Sequence, residues 1–193
     1  MFFNPTPLRG AYTIDWDPRR DDRGLFARAF CAAEFEHHGL CSTFAQANLS
    51  VNHHAGTVRG MHFQHPPHAE TKVIRCVKGA VYDVIVDIRP ASPTYLHWFG
   101  AELSETNGRM MYVPPEFAHG YQALTADATV FYLVSHPYVR DAEGGLRPTD
   151  PALRIDWPLS VTTISPKDAA WPLLPRAEDI PAGGRDAPPT VSR

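Results

Sequence analysis

Apolar and polar residues alternate with a period of two along several short stretches of this chain, each bounded by Gly, Pro, Asn or Asp. The clearest stretch runs from Val81 to Arg89. Ala80, Tyr82, Val84, Val86 and Ile88 fall on one side of an extended strand, and Val81, Asp83, Ile85, Asp87 and Arg89 on the other, because successive strand side chains point to opposite faces. One of the two faces is expected to be apolar core. Lys72 to Cys76 reads as a second strand, and the short Gly-containing connection at Lys78-Gly79 predicts a hairpin between the two. Further strands are predicted over Ala11 to Asp15, Thr43 to Ser50, Leu96 to Leu103, Arg109 to Val113, Gly120 to Ala123 and Thr129 to Ser135. One short helix is predicted over Ala32 to His38, stopped by Gly39 just past its end.

Many strands and one helix predict an all-β sandwich or barrel. Composition supports this, since 19 prolines and 13 glycines spread along the chain suit strands joined by turns better than a helical bundle. A chain of 193 residues makes one domain able to bury a core. That domain is expected over residues 1–175. A polar tail over 176–193, punctuated by Pro181, Gly183, Gly184, Pro188 and Pro189, is expected to be loosely held. No internal repeat suggests a solenoid.

Charge narrows the partners. The net charge is −3 and no Lys/Arg cluster forms a basic footprint, so no nucleic-acid partner is expected. No stretch approaches the ~18 apolar residues of a membrane span. Cys31, Cys41 and Cys76 lack metal-ligand spacing, and the N-terminal MFFNPTPLRG has no basic region followed by a long apolar run; a reduced, cytoplasmic compartment is the expectation. Of the ten histidines, His37, His38, His53, His54 and His136 sit beside polar or turn residues and are expected at the surface.

Two other histidines sit in related glycine frames. Gly56 is followed by five residues and His62; Gly108 is followed by five residues, Pro114, and His119 five positions on. This resembles the pattern of a cupin, a small antiparallel barrel (a jelly roll, or double-stranded β-helix) whose interior often hosts a site. A metal-binding cupin has His-x-His in its first motif. Here the second position is Gln64, so one expected ligand is missing.

Taken in order, RG-x-F at Arg23 to Phe26, Q-x-N-x-S at Gln46 to Ser50, RG-x-HFQ at Arg59 to Gln64, PP followed by Lys72, VDIR at Val86 to Arg89, AHGY at Ala118 to Tyr121 and S-x-KD at Ser165 to Asp168 resemble the dTDP-4-dehydrorhamnose 3,5-epimerase family. The resemblance extends over roughly Arg23 to Asp168. It implies a single cupin epimerase domain and an isomerase of nucleotide-linked 4-keto-6-deoxyhexoses, serving activated deoxysugar biosynthesis without metal or cofactor. The hydrogens on C3 and C5 of such a sugar flank the ketone, so a base can remove one if the enolate is stabilised, and inversion needs a proton from the opposite face. A neutral imidazole titrates near working pH and suits the base, His62. The resemblance gives Asp168 the role of fixing its tautomer, Lys72 that of stabilising the enolate oxygen, and Tyr132 that of the acid on the other face. It also implies that Arg23 and Arg59 hold the phosphates, that His119 contacts sugar or phosphate, and that Phe26 and Tyr138 sandwich the base. Phe26 is expected from a neighbouring subunit, making a homodimer part of the site. Gln46, Asn48 and Glu143 match further nucleotide-contact positions.

Two positions depart from the family, which usually has Glu where this chain has Arg28 and Gln where it has Glu70. If Arg28 faces the pyrimidine, its guanidinium suits the bare N3 and O2 of cytosine, whereas a carboxylate suits the N3–H of thymine. A CDP-linked substrate is therefore an alternative to a dTDP-linked one, and pairing of Arg28 with Glu143 or a phosphate is another. Two rival classes also stand: a metal-dependent cupin oxygenase or isomerase using His62, Glu70 and His119 with His65 or His68, and a non-catalytic sugar-nucleotide-binding barrel.

Overall fold

The structure, a computed structural model, describes residues 1–175; the expected tail over 176–193 lies outside the described residues. In chain order the strands are β1 (Phe2–Pro5), β2 (Tyr12–Asp15), β3 (Arg19–Asp21), β4 (Gly24–Phe26), β5 (Gln46–Asn52), β6 (Thr57–Gln64) and β7 (Lys72–Lys78). They continue with β8 (Ala80–Asp87), β9 (Trp98–Ser104), β10 (Met110–Val113), β11 (Phe117–Ala123), β12 (Ala128–Val134), β13 (Glu143–Gly145) and β14 (Thr163–Ile164). Helix α1 spans Ala32–His37 and α2 spans Pro166–Ala169. As expected, Gly39 (φ 68°) stands just past α1, where Gly39 N–H donates to Glu36 O at 2.9 Å and Leu40 N–H to Phe35 O at 2.9 Å.

Two large sheets form the all-β barrel. One has the order β1-β2-β10-β7-β12-β5, the other β13-β6-β11-β8-β9 with β14 added to β6. Between them lies a core that includes Ile74, Cys76, Met111 and Val130 from the first sheet and Val81, Ile85, Leu103 and Phe117 from the second. Both sheets are also covered on the outside. Met61, Phe63, Val84 and Val86 pack under the later chain at Leu153, Ile155 and Trp157, while Ile14, Val73 and Met110 pack under α1 through Phe35.

This double covering corrects two expectations. Lys72–Lys78 and Ala80–Asp87 are strands, but they belong to different sheets. The Lys78-Gly79 link is thus a crossover instead of a hairpin turn: Gly79 has φ 71°, a conformation glycine adopts without strain, and β8 leaves to pair with β9 and β11. Nor does β8 have a single apolar face, because Val81 and Ile85 fill the inter-sheet core while Val84 and Val86 fill the outer layer. Asp83 and Asp87 on this strand are both fully buried. Asp87 is satisfied locally, accepting from Arg89, Ser92 and Thr94. Burial would raise its carboxyl, but these donors outweigh it and bring it down from 3.8 to about 2.

Boundaries shift for local reasons. Leu96 adopts φ 60° and lies in a turn, so β9 begins at Trp98. β5 begins at Gln46, and β11 extends back to Phe117. The short strands β1, β3, β4, β13 and β14 carry too few residues to show alternation. One close approach fixes the site: a Cβ on Gly60 (φ 127°) would lie 2.5 Å from Gly120 Cα, so glycine at both positions lets β6 and β11 touch.

Candidate active site

His62 and His119, the two glycine-framed histidines, are directly opposite one another on the neighbouring strands β6 and β11. Each is held by a buried aspartate. His62 Nε2 lies 2.7 Å from Asp168 Oδ1, and His119 Nε2 lies 2.8 Å from Asp83 Oδ2. An ionised carboxylate only accepts, so the hydrogen between His62 Nε2 and Asp168 belongs to the ring.

The environments divide the two pairs. Asp168 sits in α2, whose N-cap Ser165 accepts from Asp168 N–H at 3.0 Å. Its other oxygen accepts from Gly60 N–H at 3.3 Å. Burial pushes the Asp168 carboxyl up, but the His62 hydrogen bond and charge, with Gly60 and Ser165, more than reverse this and hold it below the usual carboxylate range. Asp83 is the opposite case: complete burial raises its carboxyl despite His119 and Lys72, and its Oδ1 has no hydrogen-bond partner in the protein. His62 therefore rests on an ionised carboxylate and is 34% exposed, whereas the His119 side chain is 10% exposed. Of the two, His62 is the accessible base.

Two adjoining cavities of about 580 and 380 Å³ share His62, Lys72 and Tyr132. The larger adds Arg59, His119, Tyr121 and Asp168; the smaller adds Gln46, Asn48, Glu70, His136, Tyr138 and Glu143. His62 comes from one sheet, Lys72 and Tyr132 from the other. Lys72 is buried, and its Nζ donates to His62 O at 3.1 Å and pairs with Glu70 Oε1 at 3.1 Å. Tyr132 is raised above the ordinary phenol range by burial, with Arg59 opposing and Glu70 adding to the shift. It stays a protonated donor. Arg59 is placed by Asn52 Oδ1 at 2.7 Å and Val51 O at 3.3 Å.

The remaining expected residues divide into two groups. Tyr138 Oη donates to Glu143 Oε2 at 2.9 Å and Tyr138 N–H to Gln46 Oε1 at 2.8 Å, so these three form one rim together with Asn48. Arg23, Phe26 and Arg28 do not line either cavity. Arg23 pairs with Asp21 on the β3-β4 hairpin, Phe26 is 74% exposed, and Arg28 pairs with Glu34 at 2.7 Å instead of Glu143.

Several residues escaped the sequence reading. Gln64, at the position of the missing metal ligand, is a strut: its Nε2 donates to His68 O at 3.0 Å and its Oε1 accepts from Val139 N–H at 2.6 Å. Asp83 was legible only as a polar strand residue. His136 is not a plain surface histidine, since it lines the smaller cavity with its Nε2 3.4 Å from His68 Nδ1. Among the described residues, no three His, Cys, Asp or Glu side chains are grouped to hold a metal ion. His62, Glu70 and His119, the proposed donors, are engaged by Asp168, Lys72 and Asp83.

An ionised carboxylate behind an imidazole, with a lysine and a phenol lining the same cavities of a β-barrel, is an arrangement chemically able to move protons. A family profile described as dTDP-4-dehydrorhamnose 3,5-epimerase matches residues 5–176, and the chain belongs to that family, cupin-type isomerases of the epimerase class. It is 43% identical over 160 residues to a dTDP-4-dehydrorhamnose 3,5-epimerase of Sinorhizobium fredii, a match covering 81% of this chain and 82% of that one. A dTDP-4-dehydrorhamnose 3-epimerase of Streptomyces niveus is 40% identical over 93% of this chain and 86% of its own. The crystal structure of the Bacillus anthracis 3,5-epimerase with TDP and pyrophosphate bound superposes with a TM-score of 0.87 at 39% identity, covering 90% of this chain and 99% of that one. None of the helices among the described residues is long and apolar enough to cross a membrane.

Proposed function

We propose that the protein epimerises a dTDP-linked 4-keto-6-deoxyhexose at the carbons flanking the ketone. One observation carries the reading: His62, backed by an ionised Asp168, shares its cavities with Lys72 and Tyr132 from the opposing sheet. His62 takes the α-hydrogen as a proton, the electron pair moves onto the ketone oxygen, and the Lys72 ammonium stabilises the enolate. Tyr132 then returns a proton to carbon from the other face. The imidazolium leaves its proton to solvent and the phenolate regains one, which closes the cycle. No electron leaves the substrate.

The nucleotide end is assigned to Arg59, Gln46, Asn48, Tyr138 and Glu143, with His119 a sugar or phosphate contact through its free face. Arg23 and Phe26 act from a second copy in a homodimer. The exposed β3-β4 hairpin supports this, as do the outward Leu49 (64% exposed), Val51 and Val77 and the buried Arg75 Nε, which lacks a partner. The similar Sinorhizobium fredii enzyme is named for a dTDP-linked sugar and the Bacillus anthracis structure holds TDP, which supports dTDP over CDP. All three cysteines are free, which suits a reducing cytoplasm. NMR of dTDP-4-keto-6-deoxyglucose in deuterated buffer tests the reaction: deuterium is expected at C3, C5 or both, with inversion. Uptake at neither carbon refutes an epimerase. Sedimentation as a monomer at micromolar concentration refutes the dimer.

A further inference from the structure

Lys72 does not act alone in the cavity wall. Two positions before it, in the segment between β6 and β7, Glu70 presents a side chain that is only 7% exposed. One of its oxygens, Oε1, takes the Lys72 ammonium at 3.1 Å; the other, Oε2, is buried and has no hydrogen-bond partner in the protein. Glu70 lines the cavity that also contains His62, Lys72 and Tyr132. The segment is anchored at Thr71, whose N–H donates to Ser135 Oγ at 2.8 Å and whose carbonyl accepts from Ser135 N–H at 3.0 Å. Placement of this carboxylate is built in.

A buried carboxylate oxygen without a donor is costly, and the cost is relieved when a ligand supplies one. The Lys72 ammonium has three N–H groups, of which Glu70 and His62 O engage two. The wall therefore offers one donor and one acceptor side by side. An α-hydroxy ketone is the complementary pattern, a carbonyl oxygen to accept and a neighbouring hydroxyl to donate. In a 4-keto-6-deoxyhexose only C3 carries such a hydroxyl, because C5 carries the methyl group and the ring oxygen.

We propose that Glu70 is a specificity-determining residue that accepts a hydrogen bond from the C3 hydroxyl while Lys72 takes the C4 ketone. This rests on the epimerase reading above and adds to it a direction: the C3 side of the ring lies toward Glu70. A Gln at this position keeps the shape, but with its carbonyl toward Lys72 its other group is a donor and cannot accept from the hydroxyl.

The test compares dTDP-4-keto-6-deoxyglucose with its 3-deoxy counterpart, following deuterium uptake at C5, or at C3 where the wild type exchanges only there, since both compounds carry hydrogen at both carbons. The wild type is expected to prefer the 3-hydroxy compound by about tenfold or more in kcat/KM, the scale of a hydrogen bond to a charged group. In E70Q the preference falls to within about threefold of unity, with the thermal midpoint and dTDP affinity showing that the variant is folded. An unchanged preference in E70Q overturns the proposal and leaves Glu70 as a support for Lys72 alone. A wild-type preference below about threefold also overturns it, and that measurement needs no variant. If the wild type exchanges neither substrate at any carbon, the epimerase reading itself fails, and the two failures are told apart.

Discussion

Replacing Asp168 by Asn isolates the contribution of one negative charge to proton abstraction. The amide is nearly isosteric, so its oxygen can still accept from Gly60 N–H, and the Ser165 cap is kept because it involves the Asp168 backbone. What disappears is the anion 2.7 Å from His62 Nε2. An imidazolium and a carboxylate in contact attract by about 4 kcal/mol at an effective dielectric constant near ~20. The His62 side chain is 34% exposed, so solvent screens part of this, and the transition state carries only part of the charge. About 2–3 kcal/mol remains, or roughly a 30- to 150-fold slower abstraction. Loss of the fixed tautomer adds to that, since an Asn can face the ring with either its oxygen or its NH₂ group. The expected fall in kcat/KM for deuterium uptake is about 10²- to 10³-fold, with dTDP affinity within about threefold of the wild type. A folded D168N variant that exchanges within about threefold of the wild-type rate would falsify the dyad. Because the Asp168 carboxyl is held below its unfolded value, its contribution to stability is complete above pH ~4 and is lost as pH falls below that.

Further tests address the acid, the buried charge and the strand contact. Tyr132→Phe removes the phenol whose burial keeps it protonated, so inverted product should fall by about 10²- to 10⁴-fold while deuterium exchange from the His62 face continues with retention; inversion above a tenth of the wild-type rate contradicts the assignment. Asp87→Asn should cost about 2 kcal/mol in urea unfolding at pH 7, from a carboxyl lowered from 3.8 to about 2. That difference should shrink as pH falls from about 3.8 toward about 2, and an equal gap at pH 7 and pH 2 would rule the linkage out. Gly60→Ala places a Cβ 2.5 Å from Gly120 Cα at φ 127°, and about 3 kcal/mol of destabilisation is expected in the same assay; a change under about 0.5 kcal/mol refutes the close-contact account.

Strand existence is largely legible in the alternation of apolar and polar residues, and the order of the motifs points, through the family resemblance, to His62, Lys72, Tyr132 and Asp168. Pairing was not legible. Alternation shows which residues share a face, but in a barrel covered on both sides each face of β8 is buried, so Val81 and Val84 carry the same signal for different layers. The Lys78-Gly79 link has the composition of a hairpin turn and serves as a crossover, because glycine permits the backbone angle without dictating where the next strand goes. Asp83 and Asp87 share a face with Val81 and Ile85, and alternation alone does not mark them as buried. What makes their burial tolerable, His119 from β11 for one and Arg89, Ser92 and Thr94 for the other, combines a long-range partner with a loop whose shape the sequence does not display. Gln64 was informative as an absent metal ligand, but its role tying His68 to Val139 depends on two loops meeting.

The division of the proposed reacting groups between two sheets has a mechanical consequence. His62 belongs to one wall and Tyr132 to the other; no strand ladder sets the gap between them, and the Lys72 Nζ–His62 O hydrogen bond ties the walls together at the site. That gap is set by the packed side chains that keep the sheets apart, Ile74, Ile85, Met111 and Leu103 among them. The core is therefore a spacer gauge for stereochemistry as well as a source of stability. Adding or deleting a methylene there, far from any substrate atom, changes the stroke over which a proton must be delivered, and with it the ratio of inversion to simple exchange.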